Sequence, residues 1–171
     1  ATGARSALCH AKPDEHPLRR GDMVVVDMGA RKAGYCADMT RTFAVADADA
    51  AAREIYRVCL RAQLEGTRRI HAGMTGREAD AVVRDVIIEA GYGDYFGHGT
   101  GHGVGLDIHE APRLSRFSED TLPAGAVVTI EPGIYLPQVG GVRIEDLVVL
   151  TESGLDILTS TVKPAELPVY G

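Results

Sequence analysis

At 171 residues with 45% hydrophobic and 25% charged side chains, the chain is long enough to bury a core of its own and has the composition of an ordinary globular domain. A net charge of −6 argues against nucleic acid as a partner, because phosphate binding leans on Lys/Arg patches. No apolar run approaches the roughly 20 residues of a membrane helix, so no membrane partner is expected. The chain starts at Ala1 without a charged-then-apolar signal segment. Three cysteines, Cys9, Cys36 and Cys59, give neither a disulfide framework nor a zinc knuckle, and a reducing, cytoplasmic location is expected.

The first recognisable unit spans 18–45. A β-branched run, Met23 to Val26, leads into Asp27-Met28-Gly29, and a Gly34-containing turn returns through Tyr35-Cys36-Ala37-Asp38 to Val45. This reads as a β-hairpin with one acid on each strand. An apolar stripe at Ile55, Val58, Cys59 and Ala62 predicts a helix over about 50–70, with Asp47 or Asp49 as its N-cap. A second helix is predicted from Thr75, where Glu78 completes a capping box. Its stripe is Ala79, Val82, Val83, Val86, Ile87 and Ala90, and Gly91 is its stop.

Residues 97–109 read Gly-His-Gly-Thr-Gly-His-Gly-Val-Gly-Leu-Asp-Ile-His. Glycine at every second position from 97 to 105 disfavours a helix, so the two histidines four apart are no helical zinc motif. The spacing also matches neither G-x-G-x-x-G nor a P-loop. In an extended chain His98 and His102 face the same side; one could bind a metal while the other lines a substrate pocket. Three of the six histidines, His98, His102 and His109, fall within twelve positions.

The unit at 122–150 repeats the first. Val127-Val128-Thr129-Ile130 leads to Glu131-Pro132-Gly133, a turn follows, and Gly141-Val142-Arg143-Ile144-Glu145 runs into Leu147 to Leu150. In both copies a leucine precedes the first acid by nine residues and a glycine follows it by two; the acids lie eleven apart in one copy and fourteen in the other. Any one of them alone is better read as a turn, a cap or half of an ion pair. Four at matched places would meet at a common centre if the hairpins were related by a pseudo-twofold, and buried carboxylates need partners or metals.

Four carboxylates and one imidazole exceed the four ligands of a tetrahedral zinc. They suit two divalent cations with bridging carboxylates, able to hold a bridging hydroxide and polarise a carbonyl. Oxygen-rich ligation favours Mn²⁺, with Co²⁺, Zn²⁺ or Fe²⁺ as alternatives. Hydrolysis of an amide or ester follows, with one acid able to act as general base. Antiparallel hairpins with helices on one face predict an α+β architecture.

The stretches Asp27-Met28-Gly29, Gly34 to Thr42, His98 to Gly105, Glu131 to Tyr135 and Gly141 to Asp146 resemble the pita-bread metallopeptidases. That group comprises methionine aminopeptidase, Xaa-Pro aminopeptidase and prolidase, with creatinase as a relative that works without metal. The Asp-x-Thr-Arg-Thr and Val-Arg-Ile-Glu-Asp stretches are most similar to the Xaa-Pro branch. The resemblance implies that Asp27 binds one metal, His102 and Glu131 the other, and Asp38 and Glu145 bridge. Glu131 would be the general base, and His10, His98 and His109 would contact substrate. Tyr135 and Arg143 would face substrate or support the ligands; the plainer alternatives are packing for Tyr135 and neutralisation of Glu145 for Arg143. Cys9 stands where many prolidase-like sequences have proline.

By the same resemblance, residues 1–171 would form a single catalytic domain lacking its N-terminal helices and a preceding separate domain. The chain would open on a strand approaching His10. The implied substrates are short proline-containing peptides, and the natural chain would be a homodimer. Rival functions are a methionine aminopeptidase-type exopeptidase, a creatinase-type hydrolase, and a peptidase-like binding module without catalysis. Members of the last two classes lack metal ligands that this sequence retains.

Overall fold

The computed structural model describes residues 1–12, 15 and 17–171. In chain order its elements are β1 Met23–Lys32, β2 Tyr35–Val45, α1 Ala50–Arg69, α2 Gly76–Glu89, β3 Gly101–Gly103, β4 Glu110–Leu114, β5 Val127–Ile130, β6 Gly133–Leu136, β7 Gly140–Arg143, β8 Asp146–Thr151, β9 Gly154–Ile157 and β10 Val169–Tyr170. The architecture is α+β, as expected. Among the described residues no helix is long and apolar enough to cross a membrane.

Both helices begin where their caps dictate. Asp49 accepts the main-chain N–H of Ala52, satisfying one of the free donors of the first turn of α1. Thr75 and Glu78 form the reciprocal capping box of α2. Gly91, at φ +84, turns the chain out of α2 in a conformation that L side chains rarely adopt. The two apolar stripes meet each other and the strands, with Ile55, Cys59, Ala62, Val83 and Ile87 packed with Ile130, Ile134, Val142 and Val148. Gly66 permits this approach, because a Cβ there would stand 2.8 Å from Val83 and 2.9 Å from Ile130.

The first repeat is one continuous hairpin. Asp27 is opposite Thr40 and Gly29 opposite Asp38, so both acids lie on one face as diagonal neighbours. The second repeat differs from the expected single hairpin. Ile130 is opposite Asp146 and Gly133 opposite Arg143, in one unbroken register, yet the ladder is cut between these pairs. β5 and β8 lie in a five-stranded sheet ordered β4-β3-β5-β8-β9, while β6 and β7 form a separate pair.

The cut falls at the acids, and its cause is where their backbone hydrogen bonds go. Glu131 donates its main-chain N–H to Thr100 and Glu145 donates to Thr40, so neither closes a rung with the other. Pro132 has no N–H to give. Each acid is thereby tied to a different neighbouring strand system, and the second hairpin opens into a hub.

The expected opening strand is absent. Thr2 makes a single bridge to Val24, but Gly3–Ala7 is a 3-10 turn. Gly3, at φ +54, bends the chain. The Ser6 hydroxyl donates to the Gly3 carbonyl and accepts from Gly141 N–H, seating the turn on β7.

Candidate metal centre

The four acids of the two repeats converge. Ligand-capable atoms of Asp27, Asp38 and Glu145 all lie within 4.8 Å of one another, and so do those of His102, Glu131 and Glu145. Glu145 belongs to both groups. A third set at the same spacing joins Asp38, His102 and His109; the His102 and His109 rings are 4.3 Å apart between centroids.

Each side chain is aimed by local bonds. Glu145 is buried and its Oε2 accepts from the Thr40 hydroxyl at 2.6 Å. The His102 main-chain N–H reaches the Thr129 hydroxyl, which donates in turn to Glu131 Oε1 at 3.0 Å. His102 Nδ1 is 3.1 Å from the Gly103 carbonyl. That bond places the proton on Nδ1 and leaves Nε2 facing Glu131 at 3.2 Å and Asp38 at 3.9 Å. A backbone carbonyl that fixes the tautomer in this way is the usual support of a metal-binding imidazole.

The electrostatics show the cost of crowding. Burial pushes Asp38 up to about 6, helped by the nearby charges of Asp27 and Glu131. Burial and the carboxylates of Glu131, Asp38 and Asp27 push Glu145 up to about 9, against the Thr40 hydrogen bond. Burial also acts on Glu131, but the His102 hydrogen bond and the positive field of His98, His102 and Arg143 outweigh it and hold this acid below its ordinary value. Burial lowers His102, yet its contacts with Glu131 and Asp38 raise it overall. Carboxylates that repel one another and can also accept divalent cations fit a metal centre by donor chemistry.

Arg143 does not neutralise Glu145 by a direct side-chain pair. Its Nη2 meets Asp27 Oδ2 at 2.6 Å, Nε donates to Thr40 Oγ1 at 3.1 Å, and Nη1 reaches the Cys9 carbonyl at 3.0 Å and the Tyr135 hydroxyl at 2.9 Å. The Tyr135 hydroxyl is also 2.8 Å from His98 Nε2, and His98 Nδ1 is 2.8 Å from the Gly99 carbonyl. With Nδ1 donating to that carbonyl, Tyr135 accepts from Arg143 and donates to His98. Burial keeps His98 below its ordinary pKa.

Two adjoining clefts, of about 220 and 270 Å³, share His10, His102, His109, Glu131 and Arg143. The second contains Asp27, Asp38 and Glu145; the first extends past His98 to Arg113 and Ser115. Nine of the ten residues expected from the sequence therefore border one connected site, and the tenth, Tyr135, stands behind it, hydrogen-bonded to His98 and Arg143. Sequence reasoning missed Arg113, which was visible only as a cation four residues after His109. It also missed Asp146, fully buried beside Glu145. This acid is held by Arg41 at 2.7 Å, Gln63 at 2.9 Å and Lys163. Its one signal was an acid directly following a candidate ligand.

Donor side chains that meet in this way from two strand repeats define the site as a candidate metal centre. The chain belongs to metallopeptidase family M24, whose model matches residues 1–152. It is 50% identical over 161 residues to a Xaa-Pro dipeptidase of Pyrococcus furiosus, covering 94% of this chain and 46% of the relative. Its fold matches a Xaa-Pro dipeptidase from Bacillus anthracis with a TM-score of 0.96 at 51% identity, over 99% of this chain and 47% of that one. It also matches an X-Pro aminopeptidase from Thermotoga maritima with a TM-score of 0.92 at 43% identity, over 99% and 47%. The chain thus spans about half the length of these relatives, and its fold is the pita-bread fold.

Proposed function

We propose that residues 1–171 form the catalytic domain of a metallo-exopeptidase that hydrolyses the peptide bond preceding proline. The observation that carries this reading is the pair of ligand groups, Asp27/Asp38/Glu145 and His102/Glu131/Glu145, joined through Glu145 beside a histidine-lined cleft. The names of the relatives, Xaa-Pro dipeptidase above all, supply the substrate class.

In this reading Asp27, Asp38, His102, Glu131 and Glu145 hold two divalent cations, manganese first among the candidates. Such a pair supplies Lewis acidity for a water nucleophile and for the scissile carbonyl. The chain's own residues do the rest. Glu131, held ionised by His102 and the surrounding cationic field, takes the proton of the attacking water. His10, His98 and His109 line the substrate side of the cleft. Tyr135 fixes His98, and Arg143 fixes Tyr135 together with Asp27.

Arg113 favours a dipeptidase within this class. It lines the same cleft as His98 and His109, where a cation suits the free carboxylate of a C-terminal proline. A cytoplasmic setting and a dimer of the natural chain belong to the same reading. The test is turnover of Ala-Pro and Ala-Pro-Ala by the full-length, Mn²⁺-loaded protein, with Glu131→Gln as control. Cleavage of Ala-Pro alone is expected; turnover of neither peptide by the intact protein defeats the reading.

A further inference from the structure

Asp80 and Arg84 stand one turn apart on α2, both buried, on a helix whose apolar stripe includes neither. They pair through two bonds, Nε to Oδ2 at 2.6 Å and Nη2 to Oδ1 at 3.0 Å. Burying such a pair carries a desolvation cost that apolar side chains of similar size avoid. Stability alone is therefore a weak account of it.

The remaining bonding capacity of both groups is directed at one segment. Asp80 Oδ1 accepts from the Thr100 main-chain N–H at 2.9 Å and from its hydroxyl at 3.0 Å. Arg84 donates to the Phe96 carbonyl at 2.9 Å and to the His98 carbonyl at 2.6 Å. Its guanidinium also lies 4.2 Å from the centre of the Phe96 ring, and that ring meets the His98 imidazole edge-on at 5.0 Å. The segment so held, 96–100, lies outside every helix and strand and contains Gly97 and Gly99. Without outside support its backbone would have many conformations to choose from. At its end the Thr100 carbonyl accepts the Glu131 N–H at 2.8 Å.

We infer that Asp80 and Arg84 are positioning residues that clamp segment 96–100 and thereby orient the His98 imidazole toward Tyr135 and the substrate cleft. The kinetic consequence rests on the peptidase reading above; the clamp itself does not. Lysine at 84 keeps the charge but, as a single point donor, cannot span two carbonyls and the carboxylate as the planar guanidinium does.

The test uses the full-length protein and Arg84→Lys, with Asp80→Asn as a second variant in case one fails to fold. Hydrogen exchange of peptides covering 97–103 should accelerate at least about tenfold, with peptides of the β1–β2 hairpin unchanged. On Ala-Pro, kcat/KM should fall about tenfold to a hundredfold. In a cycle with His98→Ala, adding Arg84→Lys should cost less than about threefold, because the oriented group is already gone. Unchanged exchange in 97–103 overturns the clamp, and full additivity with His98→Ala overturns its action through His98. If the wild type cleaves no Xaa-Pro peptide, the peptidase reading fails and hydrogen exchange alone decides the clamp.

Discussion

Thr40 holds Glu145 twice, accepting the glutamate's main-chain N–H at 3.1 Å and donating its own hydroxyl to Oε2 at 2.6 Å. The same hydroxyl accepts from Arg143 Nε. One buried threonine therefore links the two repeats and orients the acid common to both ligand groups.

Thr40→Val keeps the side-chain shape and removes the hydroxyl. It leaves a buried carboxylate oxygen and a guanidinium N–H each short of a partner. A stability loss of about 1–3 kcal/mol is expected for the metal-free protein. Mn²⁺ affinity should weaken about tenfold to a hundredfold, as for other supports of metal ligands. Titration calorimetry reads the affinity and denaturant unfolding reads the stability; wild-type affinity would show that Glu145 does not depend on this hydroxyl.

In the metal-free protein, stability should decline as pH rises above about 7. Glu145, lifted to about 9 by burial and its acidic neighbours, binds a proton in the folded state that the unfolded chain has already lost. Its contribution is full below its ordinary value and disappears as pH climbs through the folded value. Asp38, at about 6, contributes the same sign over a lower window, and the raised His102 adds to the loss. His98 and His109 are lowered by burial and oppose the trend, but only below their ordinary value of 6.5. Calorimetry in EDTA from pH 7 to 9 should show a falling Tm, and Glu145→Gln should flatten it. A Tm that rises over this range would contradict the crowded-carboxylate picture.

Arg113→Ala should raise KM for Ala-Pro about tenfold to a hundredfold and change kcat little, because a charge-assisted bond to a substrate carboxylate is lost. The C-terminal amide Ala-Pro-NH₂ should be a poor substrate for the wild type and no poorer for the variant. Equal losses on both substrates would assign Arg113 another role.

Cys59 is fully buried; burial pushes its thiol up to about 12, and its Sγ donates to the Pro132 carbonyl at 3.1 Å. Cys9 and Cys36 are only partly buried. Alkylation at pH 8 followed by peptide mapping should modify Cys9 and Cys36 in the native protein, and Cys59 only after denaturation. Rapid native labelling of Cys59 would mean that α1 separates from the strand break at Pro132.

The features legible in the sequence are those written in short spacings. The Thr75–Glu78 capping box, the α1 and α2 stripes and the glycine alternation from 97 to 105 depend on residues a few positions apart, and the matched acids show as the repetition of one short pattern. Local geometry translates such spacings into structure directly. The four candidate acids could therefore be named from the sequence pattern, while the choice of His102 over His98 came with the family resemblance, and the structure brings these side chains together.

Tertiary structure alone decided which groups share a bond across a long stretch of chain. Arg143 could be listed beside Glu145, but its partner is Asp27, 116 positions away. The acids 131 and 145 suggested one intact hairpin, yet their N–H groups go to Thr100 and Thr40 and the hairpin splits. Asp80 and Arg84 look like an ordinary i, i+4 surface pair until burial places them against segment 96–100. Hydrogen-bond and charge partners between distant segments are chosen by packing, and packing depends on the whole fold rather than on any one stretch of it.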